Sequence, residues 1–157
     1  VRKNKSGIVV KGLHDLAVRF SRCCNPVPGD EIVGFVTRGR GVSIHRTDCI
    51  NVINLPQEER ARLIDAEWQV SETAGSTEQY STEIQIFANN RIGMFADISK
   101  VFTEKQIDIT SMNVRTSKQG KATIIMTFDI HGTEELNRIT DKIRQIEGVL
   151  DIQRTTG

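Results

Sequence analysis

From residue 81 on, apolar and polar positions alternate regularly enough to divide the chain into elements. Ile84, Ile86 and Ala88 alternate with Glu83, Gln85 and Phe87, the period of a strand. Met94, Phe95, Ile98, Val101 and Phe102 then recur at helical spacing along one face. Two strands are predicted next, Ile107 to Ser117 and Ala122 to Ile130, joined through a hairpin turn at Lys118-Gln119-Gly120. Thr133 is the candidate cap of a second helix carrying Leu136, Ile139, Ile143 and Ile146; Gly148 ends it, and Val149 to Ile152 forms a last strand. The order strand, helix, strand, strand, helix, strand is the ferredoxin-like βαββαβ arrangement. Its two helices must cover one face of an antiparallel sheet, leaving the other face to a polar coat or a partner.

The earlier part is β-rich and less regular. Ile8 to Val10, Leu16 to Phe20, Ile32 to Val36 and Val42 to Ile44 read as short strands. The turns between them are Asn25-Pro26-Val27-Pro28-Gly29-Asp30 and Arg38-Gly39-Arg40-Gly41. Asp48 is a candidate cap for a short helix through Asn51-Val52-Ile53, and Leu63 to Trp68 a closing strand. Ser71 to Gln79 holds no large apolar residue and reads as a linker. The expected organisation is α+β: a small β-rich α/β module over 1–70, a linker over 71–80, and the ferredoxin-like unit over 81–157.

Charge sharpens this division. Residues 1–46 carry nine Lys/Arg against three Asp/Glu, residues 47–80 two against seven, and residues 81–157 ten of each. The net +1 excludes a uniformly basic nucleic-acid binder, while the first third gains a basic surface. No apolar run approaches the roughly 20 residues that span a bilayer, so no membrane partner is expected. A first residue Val1 followed by Arg2-Lys3-Asn4-Lys5 reads as the start of a piece of a longer chain. Three cysteines without a secretory segment fit a reducing, cytoplasmic setting.

Cys23-Cys24 with His45 and Cys49 offers four soft ligands of the kind that hold zinc. Adjacent cysteines on an extended strand point to opposite faces, so the alternative is that they are small buried residues. Arg38 and Arg40, set in a glycine-rich turn, with Arg46, Arg19 and Arg22 on neighbouring segments, form a candidate contact to RNA phosphates. With six Phe, one Trp and one Tyr, stacking on bases is a minor term and backbone shape the major one. Asn89-Asn90-Arg91-Ile92-Gly93-Met94-Phe95 joins a strand to a helix start, where free N–H groups suit an amino-acid carboxylate; the bland alternative is an ordinary capped turn. His14, His45 and His131 sit in no triad-like arrangement, and no phosphate-binding Gly-x4-Gly-Lys occurs, so no enzyme site is expected.

Taken together, Arg22-Cys23-Cys24-Asn25-Pro26-Val27-Pro28-Gly29-Asp30, the run Gly34 to Arg46, and Asp48-Cys49 resemble the conserved-cysteine module of long RelA/SpoT-type enzymes. That module is also called the ribosome-intersubunit or zinc-finger domain. The unit bearing Asn90-Arg91-Ile92-Gly93-Met94 resembles the ACT domain that follows it in those enzymes. The family makes and degrades (p)ppGpp in an N-terminal catalytic half, so the resemblance implies a regulatory C-terminal end. It further implies that the cysteine module contacts ribosomal RNA, that the ACT domain helps clamp deacylated tRNA in the ribosomal A site, and that the signal passes to the catalytic half. Cys23, Cys24, His45 and Cys49 become the implied zinc ligands. ACT relatives that bind valine, isoleucine or leucine imply a site at Asn89 to Phe95 completed by Ser111, Met112 and Asn113 across a homodimer interface.

Overall fold

A computed structural model describes residues 8–10, 17–39, 41–69 and 78–155, the side chain of Val9 excepted. Two units separate between Glu78 and Gln79. Most of the linker read from the sequence, residues 71–77, lies outside the described residues, as do Leu16 and Arg40.

The second unit contains β6 (Tyr80–Asn89), α2 (Met94–Glu104), β7 (Ile109–Thr116), β8 (Lys121–Ile130), α3 (Thr133–Arg144) and β9 (Val149–Arg154), numbered after the five strands and one helix of the first unit. Its sheet runs β7-β8-β6-β9 with every neighbouring pair antiparallel, the ferredoxin-like order. One parity of β6 and β8 is buried: Ile84, Ile86 and Ala88 face the same side as Ile124, Met126, Phe128 and Ile130. Met94, Ile98, Val101 and Phe102 of α2 and Leu136, Ile139 and Ile143 of α3 are buried with them, and Phe102 meets Phe128 edge-on at 4.8 Å. Burial of these apolar side chains is the main favourable term in the unit's folding. The opposite face is largely polar, with Phe87 and Ile125 half-buried among Gln85, Thr123 and Thr127. The N-cap of α3 is Gly132 and makes no side-chain cap, so Thr133 begins the helix and does not cap it.

The first unit contains β1 (Ile8–Val10), β2 (Ala17–Phe20), β3 (Ile32–Val36), β4 (Gly41–Arg46), α1 (Ile50–Ile53) and β5 (Leu63–Trp68). A 3-10 helix over Gln57–Arg62 precedes β5 and has no apolar periodicity to announce it. The sheet order is β1-β5-β3-β4-β2, so the closing strand β5 lies inside the sheet, and β2 and β4 are its parallel pair. One face buries Ile8, Val10, Val42, Ile44 and Ala66, with Phe20 stacked on Trp68 at 5.6 Å. A smaller cluster comprises Cys24, Cys49 and Val52, with Cys23, Val33 and Leu63 packed against it. None of the described helices is long and apolar enough to cross a membrane.

Candidate metal centre and ligand surfaces

β2 ends at Phe20 and the chain turns at once through Ser21 to Cys24, its backbone closing with Asn25 N–H on the Ser21 carbonyl at 3.0 Å. Asn25 takes a left-handed φ of 48°, a conformation asparagine tolerates better than most residues. The adjacent cysteines therefore sit in a turn and not on a strand, which removes the opposed geometry expected of them. His45 comes from β4 and Cys49 from the turn that leads into α1.

The ligand atoms of Cys23, Cys24, His45 and Cys49 all lie within 4.8 Å of one another. Cys23 Sγ is 3.5 Å from Cys49 Sγ, 4.0 Å from Cys24 Sγ and 3.4 Å from His45 Nδ1; Cys24 Sγ is 3.9 Å from the same nitrogen. Tetrahedral zinc, with bonds of about 2.3 Å to sulfur and about 2.0 Å to nitrogen, sets edges of about 3.8 Å between sulfurs and about 3.5 Å from sulfur to nitrogen. Three thiols and one imidazole on such edges fit a closed four-coordinate site. Zinc bound there would supply structural cross-linking, since all four positions are filled by protein.

The surroundings suit the same role. Ser21 Oγ lies 3.0 Å from His45 Nε2; accepting the Nε2–H leaves the Nδ1 lone pair facing the sulfurs. Burial pushes the His45 pKa down and so favours the neutral, ligating imidazole. Burial pushes the Cys24 and Cys49 thiols up, against opposing backbone N–H bonds from Arg46 and Asn51. A divalent cation is the natural replacement for the protons that these thiols otherwise retain.

Arg46 corrects the sequence reading. Only 8% of its side chain is exposed, and it extends into the cluster. Nη1 donates to the Cys24 carbonyl at 3.2 Å and Nη2 to Asp48 Oδ2 at 2.6 Å, while its backbone N–H meets Cys24 Sγ at 3.3 Å. It braces the two ligand-bearing turns and does not join an outward arginine set. Asp48 is likewise spent on this pair, and the N-cap position of α1 is Cys49, without a side-chain cap.

Arg19 and Arg22 are exposed, as is Arg38, whose guanidinium stands 3.5 Å from Glu59 at the surface. A cleft of about 430 Å3 is lined by Ala17, Arg19, Thr37, Gly39, Gly41, Val42 and Ser43. It joins Arg19 to the glycine-rich turn; Arg22 lies beside the cysteines, outside that lining.

In the second unit the loop after β6 is tightly tied. Arg91 Nε donates to the Glu147 carbonyl at 2.8 Å, Nη1 to the Ile92 carbonyl at 3.2 Å and Nη2 to Asp97 Oδ2 at 2.7 Å. Asn89 Oδ1 accepts from Lys121 Nζ, and the Asn90 N–H donates to the Gly120 carbonyl. Gly93 is the N-cap of α2 at φ 86°; Met94 is buried, Phe95 half-buried and Ile92 fully exposed. Ser111, Met112 and Asn113 lie on β7, an edge strand, where they are all exposed.

Two family profiles divide the chain along the same lines. Residues 8–69 match the RelA/SpoT RIS domain and residues 76–154 the ACT domain. The chain belongs to the RelA/SpoT family. This RIS–ACT segment is 39% identical over 150 residues to a GTP pyrophosphokinase of Streptomyces coelicolor, covering 96% of this chain and 17% of that protein. It is 38% identical over 156 residues to the GTP pyrophosphokinase of Escherichia coli, covering 99% and 20%. The bifunctional (p)ppGpp synthase/hydrolase RelA of Mycobacterium tuberculosis is 35% identical over 150 residues, again with 20% of its length matched. The segment thus spans about a fifth of the length of these relatives. Among solved structures, the ACT domain from the GTP pyrophosphokinase of Chlorobium tepidum aligns with a TM-score of 0.45 and 23% identity, over 49% of this chain and 99% of that one.

Proposed function

We propose that this RIS–ACT segment is a regulatory module of a (p)ppGpp synthetase/hydrolase, docking on ribosomal RNA through its first unit and relaying occupancy to a catalytic half. The observation that carries the reading is the cleft between Arg19 and the Thr37–Gly41 turn, on a unit braced by the cysteine–histidine cluster. Arginines beside glycines bring guanidinium groups and backbone close to phosphates, and residues 1–46 carry nine Lys/Arg against three Asp/Glu. Deacylated tRNA is the expected partner of the second unit on the same assembly.

Ribosome co-sedimentation across a salt series tests the reading. Replacing Arg19 and Arg38 with Ala should weaken binding and lower the salt slope by about 1 per lost phosphate contact. Unchanged affinity and slope in the double variant would sink the cleft as an RNA surface.

A second reading, amino-acid sensing at an ACT dimer interface, is favoured by the exposed edge of β7. Met112 and Val114 there are each 37% exposed on the side that carries the core. A second copy would cover them and close the Asn89–Phe95 loop over a valine, isoleucine or leucine. Calorimetry with those amino acids, with aspartate as control and light scattering for dimerisation, separates the readings; no heat from any of them leaves the ribosome as the source of the signal.

A further inference from the structure

β2 has four residues, lies at the edge of its sheet and pairs with β4 in parallel. Because the two strands run the same way, both leave the sheet at the same end, and the ligands follow there: Cys23 and Cys24 after β2, His45 near the end of β4 and Cys49 just beyond it. The strands are also tied by the Ser21 N–H on the Ile44 carbonyl at 3.0 Å and by Ser21 Oγ against His45.

The cleft occupies the same face of the same two strands. Arg19 is the register partner of Ser43, and His45 stands two residues further along β4, about 7 Å away at the rise of a strand. Ala17 and Arg19 of β2 line it together with Gly41, Val42 and Ser43 of β4 and with Thr37 and Gly39. Part of its lining is therefore the strand that the cluster fastens.

We propose that metal held by Cys23, Cys24, His45 and Cys49 is a clasp for β2, so that the arginine-bearing cleft exists as a docking surface for RNA phosphates only in the metal-loaded protein. Releasing the clasp leaves β2 on a four-residue ladder, the Ser21–Ile44 backbone bond, and the partly buried Val18 and Phe20. The inner strands β3, β4 and β5 keep their own pairings and core. The clasp itself stands on the sheet topology alone, whereas its consequence for RNA rests on the function proposed above.

The fit at the far end of β2 supplies an independent lever. A Cβ on Gly41 would stand 2.8 Å from the Ala17 carbonyl oxygen, so Gly41→Ala prises β2 away at the end opposite the ligands.

Hydrogen exchange on the whole chain, zinc-loaded and stripped with a chelator, reads the clasp, with β6 to β9 as internal reference. Amides of residues 18–21 should exchange about tenfold faster or more after stripping, the second unit should not change, and added zinc should restore protection. Binding of purified ribosomal RNA, followed on the same samples, should fall with stripping and return with zinc. Cys23→Ser should behave as the stripped protein, and Gly41→Ala should lose RNA while keeping its metal. Unchanged exchange at 18–21 would overturn the clasp. Loss of protection throughout β1, β3 and β5 would overturn it in favour of a metal needed for the whole unit. RNA affinity indifferent to a demonstrably released β2 would overturn the link to the cleft. Absence of RNA binding even with zinc would overturn the docking function while the exchange data still decide the clasp.

Discussion

Replacing Arg46 with Met separates a brace from a phosphate contact. Methionine keeps the apolar stem but removes the guanidinium bonds to the Cys24 carbonyl and to Asp48. The bond to the Cys24 carbonyl is buried and charge-assisted, a class worth about 1.5–3 kcal/mol. The bond to Asp48 counts for less, because that side chain is 57% exposed and water replaces the guanidinium; about 0–1 kcal/mol is appropriate. The expected loss is therefore about 1.5–4 kcal/mol in the first unit, read as a shift of the urea midpoint at unchanged slope in zinc-loaded protein. Arg46→Lys should lose about half as much, since one ammonium reaches one of the two acceptors but lacks the fork. Loaded zinc also makes a net anion of the three thiolates and the imidazole, so removing the adjacent cation should weaken metal binding in a competition with a chromophoric chelator. At saturating zinc the RNA salt slope should match that of the unaltered chain. A variant of full stability and metal affinity whose slope falls by about one would refute the brace and return Arg46 to the RNA surface.

Three further outcomes follow from the same geometry. Ser21→Ala removes the partner of His45 Nε2 and should lower metal affinity by about tenfold in the chelator competition, with the cobalt-substituted spectrum retaining its tetrahedral form. Gly93→Val forces a β-branched residue to φ 86°, which should cost the second unit about 1–2 kcal/mol in thermal unfolding; any valine binding should be lost with it, and intact binding would exclude the loop. Arg62 and Arg38 hold the Glu59 carboxyl below its ordinary pKa, so its contribution is complete above pH 4.5 and is lost as pH falls through the lower folded value. Glu59→Gln should accordingly flatten the acid limb of the first unit's stability curve, and an unchanged limb would show that this exposed pair contributes nothing.

The second unit was legible because its core obeys simple periods. Ile84, Ile86 and Ala88 at period two, and Met94, Ile98, Val101 and Phe102 at helical spacing, leave one arrangement that buries them all. The first unit is governed by contacts that periodicity does not carry. An extended backbone would aim Cys23 and Cys24 to opposite faces, whereas Asn25, at a left-handed φ just ahead of Pro26, bends the chain so that both thiols face His45. An Asn-Pro pair directly after two cysteines was the local signal for that turn. Arg46 shares its residue type with the exposed Arg19, Arg22 and Arg38, and nothing local marks a guanidinium that turns inward to a carbonyl 22 residues away. Cys49, Asp48 and Arg46 together show why: three neighbouring polar residues serve one centre, and only the folded chain brings the other half of it.

Zinc K-edge absorption on the purified chain, with metal content measured on the same sample, tests the metal centre most directly. One zinc per chain with three sulfurs at about 2.3 Å and one nitrogen at about 2.0 Å is the expected result. Protein that takes up no stoichiometric zinc, or a shell of oxygen and nitrogen without sulfur, would contradict it.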